Sequence, residues 1–254
     1  MRIKVLGGFG SESGSSNLTA FLVNGCVMLD AGTASSVLSP DEQSAITHVA
    51  LSHAHFDHIK ALPFLADNLA GLKDKPVEVA GAPEVIDPIR EHIFNGLIWP
   101  DFSKLPKDRP AFKFRKLAPG REVAFGGGLK LRAVRVNHSI PTTGFILREE
   151  GKAIVYSGDT KATEEIWEKA SRLGRELKAV FVETSFPDRM ADLAERTCHL
   201  TPKTLDKELR KIKGFDGPVY VYHMKTRYVV EIEHELHALG RNIIAVRDGM
   251  EWEI

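Results

Sequence analysis

The segment LSHAHFDHIKAL concentrates side chains that bind metal ions, since His53, His55, Asp57 and His58 fall within six residues. Such groups gain little by packing against one another, whereas imidazole nitrogens and a carboxylate can all coordinate divalent cations. In an extended turn the first two histidines point the same way, and the Asp-His pair can turn toward a neighbouring ion. The spacing therefore predicts a metal centre rather than a chance group of solvated histidines.

Three further ligand-type residues follow apolar runs elsewhere in the chain. His138 comes after LRAVRVN, Asp159 after AIVYSG, and His223 after PVYVY. A single histidine at a strand end is usually structural, but three such positions beside one metal motif indicate a shared site. The histidines that we interpret as ordinary surface or core residues are His48, His92, His234 and His237.

Composition and charge exclude several classes of protein. Hydrophobic residues make up 43% of the 254 residues, which is enough for a large core. Basic and acidic residues number 34 each, so no surface for long nucleic acid is expected. Only Cys26 and Cys198 could form a disulfide, which argues against a disulfide framework. Because no apolar run resembles a signal peptide or a membrane span, we expect a cytoplasmic protein with no membrane partner.

Short apolar strands alternate with amphipathic helices along the chain. Strands are predicted in RIKVL, NLTAFLVNG, CVMLDAG, THVALSH, VEVAG, KAVFVET, PVYVYHM and NIIAVRDG, and hairpins in VAFGGGLKLRAVRVNHS and GFILREEGKAIVYSGDT. Helices are predicted over 59–72, 83–96, 163–177, 202–212 and 227–239. Strands followed by helices, twice over, indicate an α/β protein with two mixed sheets packed together and helices outside. We therefore predict a four-layer αββα sandwich in which residues 1–254 form a single domain.

The glycine-rich stretch at residues 7–14 resembles a nucleotide-binding loop only superficially. It lacks the third glycine of G-x-G-x-x-G, and a strand rather than a helix follows it. We interpret this stretch as a loop in which glycines adopt positive φ.

The combination of HAHFDH, His138, SGDT and YHMK resembles the metallo-β-lactamase fold family, in its dinuclear hydrolase branch, over nearly the whole chain. The resemblance implies two divalent ions, of which Zn²⁺ is the favoured identity and Mn²⁺, Fe or Co are compatible with the same donors. It also implies how the ions are held: one by His53, His55 and His138, the other by Asp57, His58 and His223, with Asp159 bridging both.

Other segments resemble the class II cyclic-nucleotide phosphodiesterases of this fold family, namely ETSFP, HLTP, FNGLIWPDF and VNHSIPTTGF. Phe56 stands where that family usually has leucine, and Thr226 where it often has proline. The likeness implies that a metal-bridging hydroxide hydrolyses a small 3′,5′-cyclic nucleotide, such as cAMP or cGMP, to the 5′-monophosphate. It further implies that His199 protonates the leaving oxygen, that Glu183 orients His199, and that Asp57 belongs to the catalytic group. Related branches are often dimeric, which suggests a homodimer.

Three residues near these motifs are candidate substrate contacts: Ser139, Trp99 and Lys225. Trp99 has two interpretations, because an indole ring can stack on a nucleobase or can fill the space between a helix and a loop. Lys225 could contact phosphate, although most lysines are only solvated.

Three alternatives remain open. Glu183 and His199 also match positions of RNase Z, but the stretch from His138 to Asp159 is a tight hairpin with no room for the tRNA-gripping arm of that enzyme. An acyl hydrolase acting on thioesters or lactones is disfavoured by ETSFP together with HLTP. A non-catalytic metal protein on the same fold would be expected to have lost ligands, and all seven candidates are present.

Overall fold

A computed structural model describes residues 1–254 and shows two sheets of seven strands each. The strands of the first sheet are β1 (Arg2–Gly7), β2 (Ala20–Val23), β3 (Val27–Leu29), β4 (His48–Leu51), β5 (Val77–Gly81), β6 (Phe112–Lys116) and β14 (Glu251–Glu253). They lie in the order β14-β1-β2-β3-β4-β5-β6, and β3 to β6 run parallel. The first sheet is therefore mixed, with a parallel half that begins at β3.

The second sheet is also mixed. Its strands are β7 (Glu122–Ala124), β8 (Lys130–Val136), β9 (Thr142–Glu149), β10 (Lys152–Tyr156), β11 (Leu177–Glu183), β12 (Val219–Tyr222) and β13 (Ile243–Ala245). The order is β13-β12-β11-β10-β9-β8-β7, with β10 to β13 parallel. The helices are α1 (Pro40–Ala45), α2 (Phe56–Ile59), α3 (Leu62–Leu69), α4 (Pro83–His92), α5 (Glu165–Leu173), α6 (Ala191–Thr197), α7 (Pro202–Leu209) and α8 (Val229–Ala238).

Three separate apolar clusters confirm the predicted four-layer αββα sandwich. The central cluster joins residues of β1 and β2 to residues of β10, β11 and β12, so it fills the space between the sheets. A second cluster packs β4 and β5 against α3 and α4, and a third packs β10 and β11 against α5 and α7. None of the helices has the length and apolar character required to cross a bilayer.

Two tight turns join neighbouring antiparallel strands. Asn24 and Gly25 both have positive φ, 50° and 69°, as at the two central positions of a type I′ turn. Glu150 and Gly151 do the same between β9 and β10, so this hairpin carries no insertion. Thr201 caps α7 through its side chain.

Several predicted boundaries were wrong. The helix expected over 59–72 is shorter, since α3 spans only Leu62–Leu69 and residue 59 ends the separate helix α2. The ladder breaks between them because the Ala61 N–H donates to the Ala31 carbonyl and Pro63 has no N–H. The helix expected to reach residue 96 ends at His92, and the Asn95 amide then donates to the Glu91 carbonyl. The elements α1, β6, α6 and β14 were not predicted. Each is short or lacks the apolar periodicity that would have shown it.

One edge of the sandwich collects the carboxyl ends of many strands. The strands β8, β10, β11 and β12 all point toward this edge, since β8 and β10 are both antiparallel to β9 and β10 to β12 are parallel. His138, Asp159 and His223 follow β8, β10 and β12, and His53 follows β4 in the facing sheet. The topology thus gathers residues that are up to 170 positions apart in the chain.

Phe21 offers a test of the packing between the sheets. Its buried ring makes edge-to-face contacts with Tyr156, Phe181 and Tyr222 of the opposite sheet, at 5.3–5.6 Å between centroids. We expect Phe21→Ala to lower the free energy of unfolding by about 3–5 kcal/mol, because it leaves a cavity among three rings. Denaturant unfolding followed by circular dichroism measures the loss, with Phe21→Leu as the milder control. Equal stability of the alanine variant and wild type would contradict this account.

Candidate metal centre

Three of the predicted ligands meet at one point. The Nε2 atoms of His53 and His138 each lie 3.1 Å from Nδ1 of His55. His53 is buried, and the other two rings are partly exposed. Three ring nitrogens this close form a ligand group for one cation, with an open side toward solvent.

A second group lies beside the first. His58 Nε2 is 3.2 Å from His223 Nε2, which is 3.3 Å from Asp57 Oδ2. The short helix α2 carries Asp57 and His58, whereas His223 follows β12 with a positive φ of 65°. Both histidines are fully buried. The sequence-predicted residues thus assemble as two groups of three donors, one beside the other.

Asp159 lies between the two groups. Its Oδ2 is 3.3 Å from Nε2 of both His58 and His223, and 3.7 Å from Nε2 of His53. Its Oδ1 is buried and has no hydrogen-bond partner. A buried carboxylate oxygen without a donor is costly, and a cation beside it would remove that cost. The donor set, five imidazoles and two carboxylates, fits two divalent ions of the Zn²⁺ type.

The outward nitrogens of the ligand histidines are also engaged, which fixes how each ring is turned. Each outward Nδ1 has a partner at 2.8–3.0 Å: Ser52 Oγ for His53, Asp30 Oδ2 for His58, the Cys198 carbonyl for His138, and Ser185 Oγ for His223. His55 differs, because it turns its Nδ1 rather than Nε2 inward.

Asp30 is a site residue that the sequence analysis missed. It is fully buried at the end of β3, and its carboxylate accepts from the Ser52 backbone N–H at 2.7 Å and the Tyr156 hydroxyl at 2.6 Å, besides facing His58. The signal was present, since Asp30 directly follows an apolar run, as Asp159 nearly does. A search for ligand-type residues alone does not identify a residue whose role is to orient one of the ligands.

The charges at the site call for a bound cation. Burial lowers the pKa of His53, His55, His138 and His223, so these imidazoles tend to be neutral and free to donate lone pairs. Burial opposes ionisation of Asp159, but the neighbouring His223 and His58 hold the pKa of this carboxyl well below its usual range.

His58 differs from the other ligand histidines. Burial alone would lower its pKa, but the carboxylates of Asp159 and Asp30 raise the pKa well above its usual value. The same two carboxylates that favour a proton on His58 would favour a cation beside it, and a cation bound at Nε2 would compete with that proton.

A second functional group, the pair Glu183 and His199, lies against the ligands. His199 Nδ1 is 2.9 Å from Oε1 of the fully buried Glu183, which also accepts from the Thr160 backbone N–H at 3.1 Å. His199 shares a group of potential ligands with His138 and Asp159. Burial would lower the pKa of His199, but the charge of Glu183 raises it above the usual value.

The glycine-rich loop supports His223 from behind. His223 donates its backbone N–H to the Gly8 carbonyl at 2.7 Å. A Cβ on Gly10 would lie 2.6 Å from His223 Nδ1, so only glycine fits there. Lys225 donates its ammonium to the Gly10 carbonyl at 2.5 Å. The loop is therefore structural, and it reaches the site through these contacts. The expectation that its glycines adopt positive φ was wrong, because none of them does; glycine is required at Gly10 by close approach of neighbouring atoms instead.

The remaining predicted substrate contacts lie around the centre. Ser139 is exposed and adjoins His138. Trp99 is half-buried, packs against the cluster of the first sheet, and meets Phe64 edge to face at 5.4 Å. This packing favours the space-filling interpretation of Trp99, and its part in substrate binding stays a prediction.

Several known proteins resemble this chain. A probable 3′,5′-cyclic-nucleotide phosphodiesterase of Yersinia pestis is 24% identical over 208 residues, which is 73% of this chain and 59% of the relative, so the chain spans less than two thirds of that protein. A ribonuclease Z of Methanosarcina acetivorans is 25% identical over 268 residues, covering 83% of this chain and 81% of the relative. The crystal structure of unliganded yeast PDE1 shares the fold, with a TM-score of 0.82, 18% identity and 98% of each chain covered.

A family model that matches most of the chain identifies its family. The model of the family described as "Beta-lactamase superfamily domain" matches residues 21–224, a span that includes every residue of both ligand groups. The resemblance carried by HAHFDH and the strand-end residues is thereby confirmed. This protein belongs to the beta-lactamase superfamily.

Proposed function

We propose that the protein is a metal-dependent phosphodiesterase that hydrolyses 3′,5′-cyclic nucleotides to 5′-monophosphates. The observation that carries the proposal is the contact of the Glu183–His199 pair with a seven-donor centre, within one group that includes His138 and Asp159. Phosphodiester hydrolysis requires charge neutralisation at phosphorus and a proton for the leaving oxygen. The centre and the pair supply these two functions side by side.

We assign His53, His55 and His138 to one ion, Asp57, His58 and His223 to the other, and Asp159 to both. Two bound divalent ions, with Zn²⁺ favoured, would supply a nucleophile at neutral pH and neutralise charge on the phosphoryl oxygens. The side chain of Asp57 is 29% exposed and that of Asp159 only 1%. Asp57 is therefore the carboxylate placed to orient an incoming water as well as to hold an ion.

His199 is the proposed general acid. Its Nδ1–H points to Glu183, which leaves Nε2 to deliver a proton to the leaving ribose oxygen. Glu183 is held in turn by the Thr160 N–H and the Ser185 hydroxyl, so it acts as a positioning residue. Ser139, beside His138, and Lys225, two residues after His223, are proposed to contact the phosphate.

RNA ends are the second candidate substrate, supported by the ribonuclease Z relative. The two-residue turn between β9 and β10 offers no arm to grip tRNA, and basic and acidic residues balance. Both features favour a small substrate. A cytoplasmic location and a homodimer stay predictions.

The first experiment incubates the metal-loaded protein with 3′,5′-cyclic AMP and follows the products by ³¹P NMR. We expect a 5′-monophosphate signal that a chelator abolishes and that restored Zn²⁺ or Mn²⁺ brings back. A 3′-monophosphate would contradict the assigned leaving group. Cleavage of RNA 3′ ends without turnover of any cyclic nucleotide would favour the second candidate, and turnover of thioesters or lactones alone would overturn both.

Replacement of Asp30 tests how strongly the site retains metal. We expect Asp30→Asn to weaken metal retention about 10- to 100-fold, because His58 loses the charged partner that orients it. Dialysis against graded chelator, with metal content read by atomic emission, measures the change. Tyr156→Phe is the matched control, since it removes another partner of Asp30 but leaves the carboxylate facing His58. Wild-type retention in Asp30→Asn would contradict the role.

The acid role of His199 predicts a pH profile. His199 acts in its protonated form, so kcat should fall as pH rises through its raised pKa. Glu183→Gln removes the charge that raises this pKa, so the alkaline limb should move to lower pH while the metal content persists. His199→Ala should lose about 10²–10⁴-fold in kcat and lose that limb. An unchanged limb in both variants would remove the pair from the mechanism.

A further inference from the structure

Phe56 occupies an unusual position for a large apolar side chain. It lies between the ligand residues His55 and Asp57, as the first residue of α2, yet it is 63% exposed. Neighbouring Cα atoms are about 3.8 Å apart, so the Phe56 backbone lies next to one residue of each ligand group. We propose that Phe56 forms an aromatic wall at the mouth of the centre that stacks on the base of the substrate, an inference that rests on the proposed function.

The wall continues away from the ligands. Phe64 is a second large apolar residue of the same segment, eight residues further along the chain in α3. Phe64 is 49% exposed and meets Trp99 edge to face. Lys60, which lies between the two phenylalanines in the chain, has its charge paired with Glu12. This segment therefore offers rings rather than free charges.

A rigid turn extends the same apolar surface. Leu97 and Ile98, just before Trp99, are 87% and 62% exposed. The Asn95 side chain accepts from both of their backbone N–H groups, at 2.9 and 2.8 Å, so the turn is held in place. Single exposed apolar residues need no explanation, but several on preorganised elements beside a reactive centre mark a binding surface.

The chemistry of a cyclic nucleotide matches this arrangement. Its phosphate must reach the ligand groups, and the ribose then projects the base outward toward the rim. Purine and pyrimidine bases both present a π-face, so both can stack on an aromatic side chain. Phe56 therefore offers the base an exposed stacking face beside the ligand residues, and the larger rings of purines gain more from it.

The test compares two substrates that differ only in the base. One is 3′,5′-cyclic AMP, and the other is the 3′,5′-cyclic phosphate of methyl ribofuranoside, which has no base. We expect Phe56→Ala to raise KM for cyclic AMP by roughly tenfold to a hundredfold with kcat close to wild type, and to leave KM for the base-free substrate unchanged. Phe56→Trp should restore the KM for cyclic AMP. Leu72→Ala, which removes another exposed apolar side chain beyond the end of α3, is the matched control.

The outcomes separate this inference from the proposed function. Turnover of cyclic AMP with the same KM in Phe56→Ala would overturn the stacking role and leave the phosphodiesterase standing. If wild type turns over no cyclic nucleotide, the proposed function fails. The wall is then tested by equilibrium dialysis with labelled adenosine 5′-monophosphate, where at least fivefold weaker binding by Phe56→Ala supports it and equal or absent binding overturns it. A change of oligomeric mass without a change in KM would identify the surface as a contact between copies and also overturn it.

Discussion

The buried carboxylate of Asp159 is the constraint on which the site depends. It is 1% exposed, one oxygen faces the imidazoles of His58 and His223 at 3.3 Å, and the other oxygen has no partner. In a low-dielectric interior such a group needs compensating positive charge, from protons on imidazoles or from cations. The raised pKa of His58 corresponds to compensation by a proton. The two groups of three donors offer positions for compensation by cations. Metal loading is therefore coupled to proton release.

The backbone around the centre is held in conformations that cost energy. Five residues other than glycine have positive φ, and two of them, Asn24 and Glu150, belong to hairpin turns. The other three, Asp30, Cys198 and His223, are a ligand or the direct partner of one. A left-handed conformation costs roughly 1–2 kcal/mol per residue, and such residues cluster where the surrounding structure fixes them for function. The sandwich supplies that support, since β3 and β12, which lead into Asp30 and His223, are buried along their whole length.

The sequence predicted the ligands and the architecture for different reasons. The motif at 53–58 is local, and the strand-end positions of His138, Asp159 and His223 can be found from apolar runs alone. Asp30 and Ser185 were missed because their roles depend on partners 28 and 38 residues distant. Predicted helices were too long where Pro63 lacks a backbone donor and where the Asn95 side chain bonds to a helix-end carbonyl, because hydrophobic periodicity reports neither feature. Phe56 was visible as a departure from a family pattern, but its exposure at the rim follows only from the fold.

Ser185 fixes the proton positions that the two functions require. Its Oγ lies 3.1 Å from Glu183 Oε2 and 3.0 Å from His223 Nδ1. A hydroxyl has one proton to donate, and two neighbours of Ser185 can only accept it: the Glu183 carboxylate and the His223 backbone carbonyl at 3.2 Å. With its proton used on either of them, Ser185 accepts from His223 Nδ1–H. His223 then carries its proton on Nδ1, which leaves the Nε2 lone pair directed at the ligand group. Because Glu183 Oε1 accepts from His199 Nδ1–H, the proton that His199 can give away is on Nε2. One hydroxyl thus sets the tautomer needed for metal binding and, through Glu183, the orientation needed for acid catalysis.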